Sequence, residues 1–152
     1  MKAITIQQPY ASLIMHGLKV FETRSWATPH RGPLLIHAAC NFSNDNVELA
    51  HHADIAWHLA EYGYRNFMEL PRGVILGEVE LLDIFPVAAL FNDADLHRTF
   101  GELLTPTELQ VGHWINGHYA WLLRRTQQFQ EFVPAKGQQG LWDFVLEHAP
   151  SP

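Results

Sequence analysis

The chain is short of cysteine, of charge and of long apolar runs, and each shortage excludes something. Cys40 is the single cysteine among 152 residues, so no internal disulfide can form, which suits a reducing compartment such as the cytoplasm. Charged residues make up 17%, below the roughly 25% of an ordinary globular chain, while apolar residues reach an ordinary 47%. No apolar stretch approaches the ~20 residues that a membrane-spanning helix needs. Met1-Lys2-Ala3-Ile4-Thr5-Ile6 is too short and too strand-like for a secretory leader. Repeats and low-complexity linkers are absent, and length predicts one domain over residues 1–150 ahead of a frayed Ser151-Pro152 tail. Basic charge is scarce too. The formal net charge of −6 is the reverse of the footprint of a duplex-coating protein. The expectation is a soluble cytoplasmic domain with no membrane contact, whose oligomeric state the sequence leaves open.

What charge there is has a pattern. Residues 1–37 hold Lys2, Lys19, Arg24 and Arg31 against Glu22 alone, whereas residues 78–108 hold seven acids against Arg98 alone. The richest segment is Gly17-Leu18-Lys19-Val20-Phe21-Glu22-Thr23-Arg24. Upstream, residues 9–16 read as a short helix with proline in its first turn, and Gly17 is the residue that ends such a helix at little steric cost. Downstream, residues 20–26 are β-branched and aromatic, hence a strand. Alternation puts Glu22 and Arg24 on one face and Phe21 and Thr23 on the other, with Lys19 at the strand's mouth. A lysine, a glutamate and an arginine thus meet where a helix end joins a sheet edge. An exposed ion pair of little energetic worth is the competing explanation.

Elsewhere, strand character is read at Lys2–Ile6 and over residues 19–26, 32–37, 73–85, 119–126, 128–133 and 142–146. Ser43 or Asn44 caps a helix expected to run unbroken to a stop at Gly63. Residues 90–100 and 106–110 read as shorter helices, the second capped by Thr105, in an acidic connection expected to pack outside the sheet.

Five ordered segments carry a family resemblance. Gly17-x-Lys19-x-x-Glu22-x-Arg24 resembles the G-x-K-x-x-E-x-R signature of the ASCH domain family, a branch of the PUA-like β-barrels. Gln8-Pro9-Tyr10-Ala11, the strand Arg31-Gly32-Pro33-Leu34-Leu35-Ile36-His37-Ala38, the strand Arg72-Gly73-Val74-Ile75-Leu76-Gly77-Glu78-Val79 and the ending Lys136-Gly137-Gln138-Gln139-Gly140-Leu141-Trp142 are similar to the family's other motifs. The resemblance implies an α+β fold: a PUA-like, mostly antiparallel β-barrel with flanking helices. It also implies RNA or a modified nucleoside as partner.

The candidate site residues follow. Lys19 can act as a base if Arg24 and burial lower its proton affinity, or stay an ammonium if Glu22 holds it; the sequence leaves both open. Glu22 can orient Lys19 or accept from the amine of a base. Arg24 offers a planar fork to a phosphate or carboxylate. Tyr10 and Trp26 can stack on a base, although core packing is preferred for Trp26. Arg31, Arg72 and Lys136, gathered with Lys19 and Arg24, would make a positive cleft on an acidic body. Gln8 and His37 are further binding candidates, His37 being equally readable as a satisfied buried histidine. Some similar ASCH proteins are amidohydrolases of N4-acetylcytidine that use a lysine, a threonine three residues on and a central-strand glutamate. Here Lys19 and Glu78 match that pattern, but Glu22 fills the threonine slot and only the neighbouring Thr23 carries a hydroxyl. Other ASCH-like proteins bind or cleave RNA, so the resemblance leaves ribonuclease activity as a further alternative. It also fits a non-catalytic, transcription-related interaction module, in which the charged trio is a structural pair. No cofactor is expected. No metal is expected either: His51, His52 and His58 share one expected helix without an i, i+4 pair and glutamate. Cys40 reads as a small buried hydrophobe.

Overall fold

Residues that alternate between buried and exposed positions assemble here into one six-stranded sheet. The structure, a computed structural model, describes residues 1–147. The strands are β1 (Lys2–Ile6), β2 (Phe21–Arg24), β3 (Gly32–Ala38), β4 (Val74–Pro86), β5 (Tyr119–Pro134) and β6 (Leu141–Asp143). They lie in the order β2-β5-β4-β3-β1-β6. Among the described residues, only β1 and β3 run parallel; every other pairing is antiparallel. The sheet curls as a half-barrel, and Arg24 of β2 donates from Nη2 to the carbonyl of Thr5 on β1 at 2.8 Å, linking two strands that are not neighbours in it. The expected α+β, mostly antiparallel architecture with flanking helices is what forms.

Six α-helices flank the sheet: α1 (Tyr10–Met15), α2 (Asn44–His51), α3 (Ala53–Glu61), α4 (Val87–Asn92), α5 (Ala94–Phe100) and α6 (Pro106–Val111). Helix α1 lays Ala11, Ile14 and Met15 against Ile4, Ile6, Leu34, Ile36, Leu76, Val79 and Trp121, the main core. Gly77 permits that contact, because a Cβ there would stand 2.6 Å from Met15 Cε and 2.3 Å from the Gln127 carbonyl oxygen. Ala3, Leu35, Ile75, Phe129 and Trp142 form a separate cluster from the alternate strand positions.

Several expected elements divide or merge. The single helix expected over 43–62 breaks at His52, whose extended backbone (φ −63, ψ 137) ends α2 and starts α3. The helix expected over 90–100 divides at Asp93, which leaves the helical region and accepts from the backbone N–H groups of Asp95 and Leu96, capping α5. Conversely, the two strands expected over 119–133 are one strand, β5, whose irregularities are absorbed as register shifts against β4. The strand expected over 19–26 contracts to Phe21–Arg24, leaving Lys19 and Trp26 in its flanking turns. Cys40 is exposed, not buried.

The acidic connection does cover the outside of the sheet. Val87, Leu90, Phe91, Phe100 and Trp114 pack on Phe21, Phe85, Ala120 and Leu122. No helix among the described residues is long and apolar enough to cross a membrane.

Candidate functional site

Gly17 creates the site's first wall. Its φ of +76 lets the chain reverse after α1, and the backbone N–H groups of Leu18 and Lys19 return to the Leu13 carbonyl. The reversal feeds directly into β2, an edge strand paired with β5 through Glu22↔Trp121 and Arg24↔Tyr119. Beside it opens a cleft of about 610 Å³, lined by Thr5, Gln7, Tyr10, Lys19, Glu22, Thr23, Arg24 and Trp26 together with Asn41, His113, Gln138 and Gln139. The helix–strand junction and the glutamine-bearing turn before β6 are therefore opposite sides of one cavity.

The charged trio divides its partners in an unforeseen way. Lys19, 2% exposed, gives its ammonium to the Phe21 carbonyl and lies 3.6 Å from Oε1 of Glu108. Glu108 comes from α6 and is itself 1% exposed. Its carboxylate also accepts from the backbone N–H of Val20 at 2.8 Å and of Phe21 at 3.2 Å. Burial pushes the Glu108 carboxyl up from its ordinary value, against the pull of Lys19 and of those two N–H donors. Thr105 caps α6 by accepting from the Glu108 N–H, which fixes the start of the helix that carries this acid.

Glu22 and Arg24 form the second pair. Arg24 Nη2 lies 3.1 Å from Glu22 Oε2, and Glu22 Oε1 accepts from the Thr23 N–H at 3.1 Å. Glu22 and Arg24, which alternation puts on one face, both line the cleft, and so does Thr23 from the other. The Thr23 hydroxyl accepts from the His113 N–H at 3.2 Å, and Tyr10 meets His113 edge-on at 5.5 Å. Burial, then the Glu22 charge, raises the Tyr10 phenol from its ordinary value. Trp26 is half-buried, edge-on to Trp121 at 4.9 Å, so it both packs on the core and lines the cleft.

The family model for the ASCH domain matches residues 4–135 of the chain. The chain belongs to the ASCH domain family. It is 35% identical over 140 residues to activating signal cointegrator 1 of Mus musculus, covering 91% of this chain and 21% of that protein. It is likewise 35% identical over 81 residues to the Homo sapiens protein of that name, covering 53% of this chain and 14% of that one. The ASCH chain thus spans about a fifth of the length of the mouse relative. Among solved structures, the ASCH protein of Zymomonas mobilis aligns with a TM-score of 0.53 at 16% identity, over 96% of this chain and 87% of that one. A mutant form of the same protein aligns at 0.52 with 14% identity, over 96% and 90%. At those identities the likeness is one of fold.

Not every candidate reaches the ASCH cleft. Tyr10, Lys19, Glu22, Thr23 and Arg24 do. Gln8 is fully buried instead: its Oε1 accepts from the Ser12 N–H and its Nε2 donates to Ser12 Oγ and to the Pro71 carbonyl, so it holds the start of α1. His37 lies in a neighbouring pocket, where Nε2 donates to the Ala135 carbonyl at 2.8 Å and Nδ1 meets the Thr5 hydroxyl at 3.2 Å. Burial lowers its pKa, keeping the ring neutral. Lys136 lines that same pocket. Arg31 is turned outward to Asp83 at 3.3 Å, and Arg72 donates to the Cys40 carbonyl while stacking over Phe42. The expected gathering of five cations therefore does not occur. Glu78 lines neither pocket, and its neighbour Glu80 is paired with Arg124.

Sequence reasoning missed Glu108, Asn41, His113 and the glutamines. Gln138 and Gln139 lay inside the recognised Lys136–Trp142 motif, where the variable positions between the two glycines were the available signal. Glu108 had none, since it is separated from Val20 by 88 positions.

Proposed function

We propose that the cleft binds the base of a nucleoside, free or within an RNA strand, by edge recognition and stacking. The observation that carries this is the character of the lining. Tyr10 and Trp26 offer aromatic surface, Gln7, Asn41, Gln138 and Gln139 offer paired donors and acceptors, and Glu22 with Arg24 sets an acceptor beside a donor. A base presents that same mixture: a π face, and an edge of alternating donors and acceptors. Formal charge near the cleft is close to balanced, because Lys19 faces Glu108 and Arg24 faces Glu22. A neutral planar ring suits such a site better than a bare anion. The volume falls within the ~300–1,000 Å³ of small-ligand sites. Membership of the ASCH family supports an RNA-related ligand.

A hydrolase reading finds less support. Lys19 has its ammonium committed to the Phe21 carbonyl and Glu108, and Glu78 lies outside the cleft. An acylated cytidine is accordingly a ligand here and not a substrate. The test is calorimetric titration with the four ribonucleosides and N4-acetylcytidine, with acetate release followed in parallel. Expected is saturable binding of at least one nucleoside, weakened by Arg24→Ala, with no acetate formed. Absence of binding by all five overturns the base-recognition role, and Lys19-dependent acetate release establishes the amidohydrolase instead.

A further inference from the structure

Beside the base cleft lies a second pocket of about 570 Å³, lined by Thr5, His37, Ala39, Cys40, Asn41, Lys136, Gly137, Gln138 and Gln139. Thr5, Ala39, Asn41, Gln138 and Gln139 line both cavities, so the two are adjoining lobes of one groove. Their electrostatics differ. Every cation of the first lobe faces a carboxylate, whereas no carboxylate lines the second. Lys136 there is exposed and makes no ion pair among the described residues. Arg72 is anchored just behind, donating to the carbonyl of Cys40 at 3.1 Å, and it too has no carboxylate partner among them.

One wall of the second lobe is built close. A Cβ on Gly137 would stand 2.9 Å from His37 Cε1 and 2.9 Å from the Thr5 hydroxyl, so the Lys136–Gln139 backbone lies directly on that pair. The pair is itself held in a chain of hydrogen bonds: Trp142 Nε1 donates to Thr5 Oγ1 at 3.1 Å, and His37 Nε2 donates to the Ala135 carbonyl. The floor under Lys136 is thus fixed and uncharged, which leaves the lysine ammonium as the dominant local field.

We infer that this second lobe is a phosphate subsite: Lys136 receives the phosphate of a nucleotide whose base occupies the first lobe. This rests on the proposed base-binding role of the first lobe and narrows its ligand from a nucleoside to a nucleotide or a short single strand. An ammonium without a protein counter-ion, beside a cavity free of carboxylates, is the chemistry that takes a phosphate oxygen. The groove is two lobes long, which fits one base with its attached phosphate, or a dinucleotide step, and not a duplex.

The experiment measures affinities for cytidine, cytidine 3′-monophosphate, cytidine 5′-monophosphate and a tetracytidylate at two salt concentrations. The same series is run on Lys136→Ala and Lys136→Glu, and inorganic phosphate is titrated alone. Expected is a monophosphate, of one regiochemistry, binding about tenfold tighter than cytidine, as a charge-assisted hydrogen bond supplies. In Lys136→Ala the ratio falls toward one, and in Lys136→Glu it inverts. The tetracytidylate gains a salt slope of about −0.7 per phosphate neutralised, lost in the variants. Equal affinity for cytidine and both monophosphates overturns the phosphate subsite and leaves the base role standing. Phosphate binding that depends on Lys136, without any nucleoside binding, does the reverse: it supports the anion lobe and removes the base. A ratio unchanged by both variants places the phosphate elsewhere and overturns the assignment.

Discussion

Two ion pairs, one within the Gly17–Arg24 octet and one joining that octet to α6, have opposite surroundings. Lys19–Glu108 is sealed, with side chains 1% and 2% exposed, whereas Glu22–Arg24 stays open to the cleft at 10% and 26%. Glu108 meets the lysine and two backbone N–H groups at once, and almost all of it is spent inside the protein. Glu22–Arg24 keeps polar atoms facing a cavity. A charged signature is therefore not one functional unit. Half of it shapes the turn that enters the strand, and half lines the cleft.

The sharpest way to break this contrast is Glu108→Ala. It leaves a buried ammonium and two N–H donors without their acceptor, and such losses cost about 3–5 kcal/mol. Urea denaturation should show that fall, and the double variant Lys19→Met/Glu108→Leu should recover the part owed to the unpaired ammonium, because an apolar pair can replace a buried ion pair, while the two N–H groups stay without an acceptor. If Glu108→Ala unfolds at the wild-type midpoint, the sealed pair is not structural.

Arg24→Lys, next in expected size, should act on the ligand and not on the fold. It keeps the charge but loses the planar fork that meets both Glu22 and the Thr5 carbonyl. Nucleoside affinity should drop on the order of tenfold, with stability changing by about 1 kcal/mol or less. A collapse in stability with ligand affinity intact would reverse the assignment of the two pairs.

A pH series separates a sealed group with hydrogen-bond partners from a half-buried ring whose Nδ1 has none. His16 stacks on Tyr62 at 3.8 Å, and its buried Nδ1 has no hydrogen-bond partner; burial, then the Arg125 charge, lowers its pKa from 6.5 to about 4. The unfolded chain takes up this proton first, so His16 removes stability as pH falls from 6.5 toward about 4. Glu108, raised from 4.5, behaves in the opposite sense: the folded state holds its proton to higher pH, so its site gains stability as pH falls toward 4.5. Relative to wild type, His16→Gln and Glu108→Gln should therefore change the slope of stability against pH with opposite signs. Equal signs would contradict one of the two environments.

The smallest effect belongs to Arg124→Ala. Its partner Glu80 is on β4; Arg124 is exposed at 64% and Glu80 partly so at 35%, so the loss should be under about 1 kcal/mol. Chemical denaturation of this variant calibrates the pair in water against the same chemistry sealed inside; a loss as large as that of Glu108→Ala would erase the distinction.

Much of the architecture was legible because its cues are local. Strand periodicity, the glycine at position 17, the proline that stands at the N-cap of α1 and not inside its first turn, and the threonine cap of α6 each act within a few residues. Periodicity says less about where an element stops. His52 and Asp93 break helices because their backbones become extended there, while the twist between β4 and β5 is absorbed by bulges and leaves a 16-residue strand intact. The cleft was half legible. Glu22 and Arg24 follow from alternation on one strand. The partner of Lys19 does not, since neither Glu22 nor Arg24 meets its ammonium and a distant acid in an acidic segment does. Gln8 resembles a ligand-binding residue in sequence, yet its amide closes the first turn of a helix; an amide side chain serves both purposes equally well.

The reach of Glu108 across the chain turns two amide protons into reporters. The N–H groups of Val20 and Phe21 are held by a carboxylate on α6. Their exchange with deuterium therefore times the undocking of residues 106–111, not the fraying of the strand that begins at Phe21. A ligand that clasps only Arg24 would leave that clock unchanged, whereas one that tightens the whole turn would slow it.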